Sequence, residues 1–406
     1  VKEKLFEAVE TLMPEMTDIL SDLCAIPAVS PLAGGEGEYK KAQYLAKKIK
    51  ELGLGEPQII DCPDPQAAGG VRPNLLVTIP GLTKQRLVIV AHMDVVPAGD
   101  LSLWHTDPFK AVVRDGRIYG RGVNDNCQEL VSSLCAVLAL KKLGVTPKYE
   151  ICLCFVADEE VGSDHGIKYL IEKNIFKKDD LIIVPDGGDE TGLFIEVAEK
   201  SILWAEFEVT GKQVHGSTPQ LGNNACRAGS ELAIAVDRAL HEAFPDEDRL
   251  FDPPVSTFEP TRRAANVPNI NTVPGRDLFC FDCRVLPSIP LEKVIAVIDA
   301  EIKKIERKRG VKVERRFYQN VQAPAPTPAG APIVNMLKAA LRQVIPGEPR
   351  VSGVGGGTCA AYFRAIGIPA AVWDQEVDCA HMPNEYAELK HIENEAKVFA
   401  LMMTGA

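Results

Sequence analysis

The chain has 406 residues, 46% of them hydrophobic and 25% charged, a balance that excludes a disordered or fibrous polymer. Its 45 Lys and Arg against 56 Asp and Glu leave a formal charge of −11, which repels a phosphate backbone and argues against nucleic acid as a partner. At roughly 150 residues per domain, the length calls for two domains, one of them assembled from separated segments.

The opening stretch VKEKLFEAVETLMPEM mixes charge with helical apolar spacing and lacks the apolar core and cleavage site of a signal peptide. No apolar run reaches the roughly 18 residues that span a bilayer. A cytoplasmic location and no membrane partner are therefore expected. Eleven cysteines, an odd number without CxxC pairing, fit reduced and mostly buried thiols better than a disulfide framework.

Strand-length apolar runs occur at 87–91, 151–157, 181–185 and 370–373, and apolar spacing over 128–143 predicts a helix that stops before Gly144. Strands alternating with helices predict an α/β sheet covered on both faces. Residues 201–321 read differently: a strand at 203–209, a helix near 225–243, a strand before Val267, a strand at 278–285, a helix over 291–309 and a strand at 311–317. That order, β-α-β-β-α-β, is the ferredoxin-like arrangement. The expected organisation is a first domain over 1–200, an inserted domain over 201–321 and the first domain resumed over 322–406. The Pro-rich APAPTPAGAP at 323–332 reads as the linker between them.

Several first-domain strands run into metal-binding side chains. LVIVA leads to His92 and Asp94, ICLCFVA to Glu159 and Glu160, LIIVP to Asp186, and PAAVWD is followed after a loop by His381. Ligands of open α/β sheets bind outside the carboxyl ends of the strands, so these groups are expected to converge. Asp125, just before the helix at Gln128, is a further candidate, although an aspartate there could merely cap the helix. Asp186 could likewise be a turn former before two glycines. In an extended segment residues two apart share a face, so Asp94 could accept the second ring N–H of His92. Adjacent Glu159 and Glu160 would face opposite ways in a strand, one to bind metal and the other to move protons.

Imidazole and carboxylate donors without thiolate suit zinc, with manganese or cobalt as alternatives. If His92, Asp125, Glu160, Asp186 and His381 are ligands, three carboxylates bring −3 against +4 from two divalent ions, and a hydroxide closes the balance. Two ions can activate water near neutral pH and polarise a carbonyl.

Taken together, AHMDVVP, YGRGVNDN, ADEEVGS, PDGG, HGSTP, GGGT and AHMPNE, in this order over about residues 15–400, resemble the motifs of the M20 metallopeptidases. That family includes succinyl-diaminopimelate desuccinylase, acetylornithine deacetylase, aminoacylase-1 and glutamate carboxypeptidase. The resemblance implies a zinc-peptidase catalytic domain and a ferredoxin-like lid that dimerises. It makes Asp125 the bridging ligand, pairs His92 with Asp186 and Glu160 with His381, makes Glu159 the general base and has Asp94 support His92. It also sends His215 of VHGSTP into the partner subunit's active site, to steady the carbonyl oxygen.

By the same resemblance, Asn271, Arg284, Gly357 and Thr358 match positions that hold a substrate carboxylate. Arg284 suits this through its bidentate fork, although an ion pair with Asp282 is its plain structural alternative. No Gly-Lys-Ser/Thr follows the glycines, so a nucleotide loop is unsupported. One departure stands out: the family commonly has Lys-Gly two residues after the bridging aspartate, whereas this chain has Asn126-Cys127-Gln128. Cys127 beside the metals would make the protein oxidant-sensitive. The expected function is hydrolysis of an N-acyl amino acid carrying a free carboxylate, nearest the desuccinylase and deacetylase branch. The alternatives are a dipeptidase or carboxypeptidase, or a non-catalytic metal-dependent binding protein.

Overall fold

The computed structural model describes residues 2–405, which divide into two compact units. Ala198–Pro326 and Ser352–Gly357 form the second, and the remaining described residues form the first.

An eight-stranded sheet organises the first unit. Its strands lie in the spatial order Gln58–Pro63, Val71–Ile79, Glu150–Val156, Arg86–His92, Leu181–Val184, Ala370–Val372, Phe194–Glu199 and Arg350–Val354. The middle four are mutually parallel. They coincide with the four apolar runs read from the sequence, and those runs are continuous because helices bury both faces. The almost wholly buried helix Cys127–Lys142 covers one side, together with Lys2–Cys24 and Leu389–Thr404. On the other side Ile167, Leu170, Ala360 and Phe363 pack on Val88, Val90, Cys152, Cys154, Ile182 and Val184. The outer strands were not anticipated; Val71–Ile79, for instance, carries Arg72, Pro73 and Asn74 in a run that is nonetheless buried.

In the second unit an antiparallel sheet runs in the order Thr257–Arg263, Arg276–Val285, Ser201–Thr210 and Lys312–Val321. Helices Ala225–Ala243 and Leu291–Arg309 cover one face, completing the ferredoxin-like order. Period-two burial drives this packing: Leu203, Ala205, Phe207 and Val209 point to the helices with Phe279, Phe281, Cys283 and Val285. Ser352–Gly357 joins this unit because Gly353 N–H and the Ser352 hydroxyl both donate to Leu250 O, at 2.7 and 2.6 Å.

The Pro-rich stretch is not a loose tether. Thr327 within it is buried, donates its hydroxyl to Ala370 O at 2.7 Å and receives Ala370 N–H at 3.0 Å, fastening the chain to a central strand. All eleven cysteines are free, and all are buried except Cys226 and Cys280, which are partly exposed. Among the described residues no helix is long and apolar enough to cross a membrane.

Candidate metal centre

Parallel strands deliver their carboxyl ends to one edge, and the residues that follow them therefore meet. His92 ends its strand, Glu159 and Glu160 follow Glu150–Val156, Asp186 follows Leu181–Val184, and Asp125 precedes helix Cys127–Lys142. His381 lies on a loop beyond Ala370–Val372, in the left-handed region at φ 64°.

Asp125 sits between two imidazoles. Its Oδ1 is 2.9 Å from His92 Nε2, and its Oδ2 is 3.2 Å from His381 Nε2. Asp186 Oδ1 approaches His92 Nε2 at 3.4 Å, and Glu160 Oε2 approaches His381 Nε2 at 3.0 Å. Two half-sites therefore share one carboxylate. Helix capping does not occupy Asp125, because the cap position falls to Asn126 and no side-chain cap bond forms there.

Glu159 and Glu160 go separate ways, for a reason other than the one expected. The strand stops at Val156, Asp158 takes φ 67° and ψ 20°, and Glu159–Val161 is a 3-10 turn. At three residues per turn, consecutive side chains leave about 120° apart. Glu159 thus groups with His92 and Asp186, and Glu160 with His92 and Asp125, each set within 4.8 Å.

Asp94 also differs from expectation. Its carboxylate accepts the backbone N–H groups of Glu159 and Glu160, at 3.1 and 3.0 Å, so both oxygens are engaged. His92 Nδ1 instead lies 3.0 Å from the Asp94 carbonyl oxygen, with the nearer carboxylate oxygen at 3.6 Å. A carbonyl only accepts, so the proton is on Nδ1 and Nε2 is the nitrogen presented to Asp125 and Asp186.

Several residues to which the sequence assigned no role at the site support this geometry. Asn126 Oδ1 accepts His92 N–H at 2.9 Å while its amide donates to Pro185 O at 2.6 Å, tying two strand ends together. Glu385 accepts the N–H groups of Asn124 and Asp125 and pairs with buried Arg121, which also donates to His381 O. Both belong to motifs already noted, YGRG and HMPNE, so the signal was a charged residue inside a motif whose metal ligands were already assigned. Gly188 has no room for a side chain, since a Cβ there would lie 2.2 Å from Asp374 Oδ1.

Cys127 is 1% exposed and accepts from the buried Lys41 ammonium at 3.7 Å. An ammonium from another helix thus stands beside the departure from the family pattern. Burial makes the expected oxidant sensitivity depend on local opening, because a reagent cannot otherwise reach the sulfur.

The remaining predicted site residues lie at or beyond the boundary of the second unit. His215 and Thr272 pair across a two-stranded ladder, Gly216 N–H donates to Asn271 O at 2.6 Å, and the exposed His215 ring has Nδ1 2.7 Å from Ser217 Oγ. Arg284 forms the ion pair with Asp282 that was its structural alternative, at 2.7 and 3.1 Å, and donates to Gly355 O at 2.6 Å. Gly357 ends that glycine turn. Thr358 belongs to the first unit, and its hydroxyl accepts Ala360 N–H at 3.1 Å.

Electrostatics match the donor set. Burial opposes charge on His92, but Asp186 and Asp125 outweigh it and raise the imidazole pKa well above its usual value. Hydrogen bonds donated to Asp125 and then to Glu160 raise His381 to about 10. Burial alone would raise Asp125, yet the two histidines hold its pKa below the usual carboxylate range. For Glu159, burial and then the Asp186 charge push the carboxyl well up.

A model of peptidase family M20/M25/M40 matches residues 88–405. The chain belongs to this family. An uncharacterized metallohydrolase of Methanocaldococcus jannaschii is 41% identical over 408 residues, covering 96% of this chain and 98% of that one. Succinyl-diaminopimelate desuccinylase of Nitrosomonas eutropha is 26% identical over 332 residues, 81% of this chain and 85% of its own. Among solved structures, an M20 metallo-carboxypeptidase of Sulfolobus solfataricus shares the fold with a TM-score of 0.72, at 19% identity over 96% of this chain and 99% of that one. This M20 protein is accordingly a metallohydrolase acting on amide or peptide bonds, built on a zinc-peptidase fold with a ferredoxin-like insert.

The residues fit divalent cations. Five N and O donors converge, one carboxylate faces both histidines, and the raised pKa of both imidazoles means that a cation binding there competes with a proton. Metal uptake should then release protons, because a ligating imidazole must be neutral. Below about pH 10 at His381, the proton competes with the ion, so affinity should rise with pH by about tenfold per unit for each proton displaced. Calorimetric zinc titrations at pH 7 in buffers of different ionisation heat should report more than one proton released. Heats independent of the buffer would contradict this.

Proposed function

We propose that this M20 protein is a cytoplasmic amidohydrolase that cleaves an N-acyl amino acid next to a free carboxylate, in the manner of a desuccinylase or deacetylase. The observation that carries the reading is Asp125 facing two histidines with Glu159 alongside. His92 and Asp186 would hold one divalent ion, Glu160 and His381 the other, and Asp125 both, with zinc favoured and manganese or cobalt as alternatives. Bound there, the ions supply Lewis acidity for water activation and carbonyl polarisation.

The protein's own part begins at Glu159, whose partly buried carboxylate takes a proton from the attacking water and returns it to the leaving nitrogen. Asp94 holds the backbone of Glu159 and Glu160 and, through its carbonyl, the tautomer of His92. His215, acting across a homodimer formed through the lid, would donate to the developing oxyanion. Absence of disulfides among the described residues supports the cytoplasmic assignment.

Arg284, Asn271, Gly357 and Thr358 would receive the substrate carboxylate. Three of the five guanidinium protons of Arg284 are used by Asp282 and Gly355, which leaves two for a ligand. Gly355, Gly356 and Gly357 have neither positive φ nor close neighbours. Neither strain nor crowding accounts for three glycines there, and a backbone left open to a ligand does.

The deciding experiment is a hydrolysis screen of zinc- and manganese-loaded protein against N-succinyl, N-acetyl and dipeptide substrates. Turnover confined to dipeptides would move the assignment to a peptidase, and no turnover at all would favour a binding protein. On the substrate found, Arg284→Ala should lower kcat/KM by about 30-fold, the low end for one partner of a charge pair because the side chain is partly exposed. Amidating the substrate carboxylate should cost as much, and both changes together little more. Multiplicative losses would leave Arg284 to Asp282 alone.

A further inference from the structure

Behind the Glu159–Glu160 turn lies a buried ionic network that the chemistry above does not use. Arg72 is 1% exposed and Glu38 fully buried, and they form a bidentate pair. Arg72 Nη1 reaches Asp158 Oδ1 at 3.0 Å, as an ion pair not aligned for a hydrogen bond, and Asp64 Oδ2 at 3.6 Å. Glu38 Oε1 also accepts the backbone N–H of Asp158 at 3.2 Å. From the outer side His165 contributes its backbone N–H and Nδ1, both on Asp158 Oδ2, at 3.0 and 2.9 Å.

Carboxylates thus grip three consecutive backbone N–H groups: Glu38 takes that of Asp158, and Asp94 takes those of Glu159 and Glu160. Asp158 is in the left-handed region at φ 67°, a conformation that non-glycine residues hold only when their surroundings enforce it. It is the hinge at which the chain leaves the strand and enters the 3-10 turn. Rotation at this residue would swing both glutamates. Gly166 closes the turn from below, where a Cβ would lie 1.9 Å from Ala157 O.

A buried ion pair is seldom the most stable filling for an interior position, and apolar side chains of equal volume often do as well. What an Arg–Glu fork offers instead is direction. We infer that Arg72, acting through Glu38 and Asp158, is a positioning residue that sets the pose of Glu159 and Glu160. The inference rests on the assignment of Glu159 as base and Glu160 as ligand.

The test compares Asp158→Asn, Arg72→Lys and Arg72→Met with the parent at saturating metal, measuring kcat, KM, bound metal and thermal unfolding. Displacing a reacting group by about 1 Å costs on the order of 10²-fold. Asp158→Asn and Arg72→Met should lose about that factor in kcat with KM unchanged and two ions bound, and Arg72→Lys should recover part of it. A scaffolding role would instead lower the unfolding temperature and leave the kcat of folded protein at the parental value, which overturns the inference. If Arg72→Met does not fold, isosteric Asp158→Asn decides alone. Glu159→Gln in the same assay separates the two readings. Inactive Glu159→Gln beside fully active Asp158→Asn removes only the positioning inference, whereas active Glu159→Gln removes the base assignment and the inference with it.

Discussion

Glu159→Gln is expected to lower kcat by about 10²–10⁴-fold while both metal positions stay filled. An amide is close in shape to a carboxylate but cannot take a proton from water and hand it to a leaving nitrogen. Burial and then the Asp186 charge favour the protonated carboxyl and push its pKa up from the ordinary range. A carboxyl so raised holds a proton more firmly than a free one, as a group that accepts and then returns a proton must. The adjacent Glu160→Gln should behave in the opposite sense. Its carboxylate faces His381 at 3.0 Å, so that half-site should lose occupancy and excess metal should restore part of the rate. Metal analysis beside steady-state kinetics distinguishes them. Metal loss in Glu159→Gln with retention in Glu160→Gln would reverse the assignment.

Asp125→Asn should have the broadest effect on metal content, because the one side chain serves both histidines. The amide keeps a single acceptor oxygen and turns the other position into a donor aimed at an imidazole or a cation. Affinity at both positions should fall beyond the 10–100-fold typical of changes to residues that only support ligands. Asp186→Asn should spare the half-site of Glu160 and His381, leaving one tightly held ion. Dialysis against defined zinc followed by elemental analysis gives the count. Two ions in Asp125→Asn with none in Asp186→Asn would mean that Asp125 is not shared.

Legibility in the sequence followed how local each physical cause is. The four central strands were readable because helices on both faces demand continuous apolar runs, and the carboxyl edge then followed from parallel order. The second unit was readable because alternation over Arg276–Val285 and helical spacing over Leu291–Arg309 change period cleanly. Bounds for both of its helices agreed to the residue, while strand ends moved by several, since ladders are completed by partners and not by composition.

What stayed hidden was carried by side chains that meet from remote places. Glu38 and Asp158 are 120 residues apart and are joined by a backbone N–H, which no periodicity records. Asp94 was legible as a neighbour of His92, and its carboxylate lies 3.6 Å from His92 Nδ1, but spacing cannot foresee that two N–H groups of a later turn would also bind that carboxylate. One signal was available at Arg72: a charged residue inside a largely apolar strand is rare unless something buried pairs with it.

The buried thiols turn the molecule into its own map of motion. Nine sulfurs, from Cys24 in the first helix to Cys379 near His381, are shielded, while Cys226 and Cys280 are partly open. A shielded thiol reacts with an alkylating reagent only during the moments when its segment opens, so each labelling rate measures the cost of that local opening. Cys127 sits two positions from Asp125, Cys359 follows Thr358, and Cys152 with Cys154 lies in a central strand. Mass spectrometry of timed alkylation, with and without zinc, would read the stiffness of the metal site against that of the sheet without a single engineered probe.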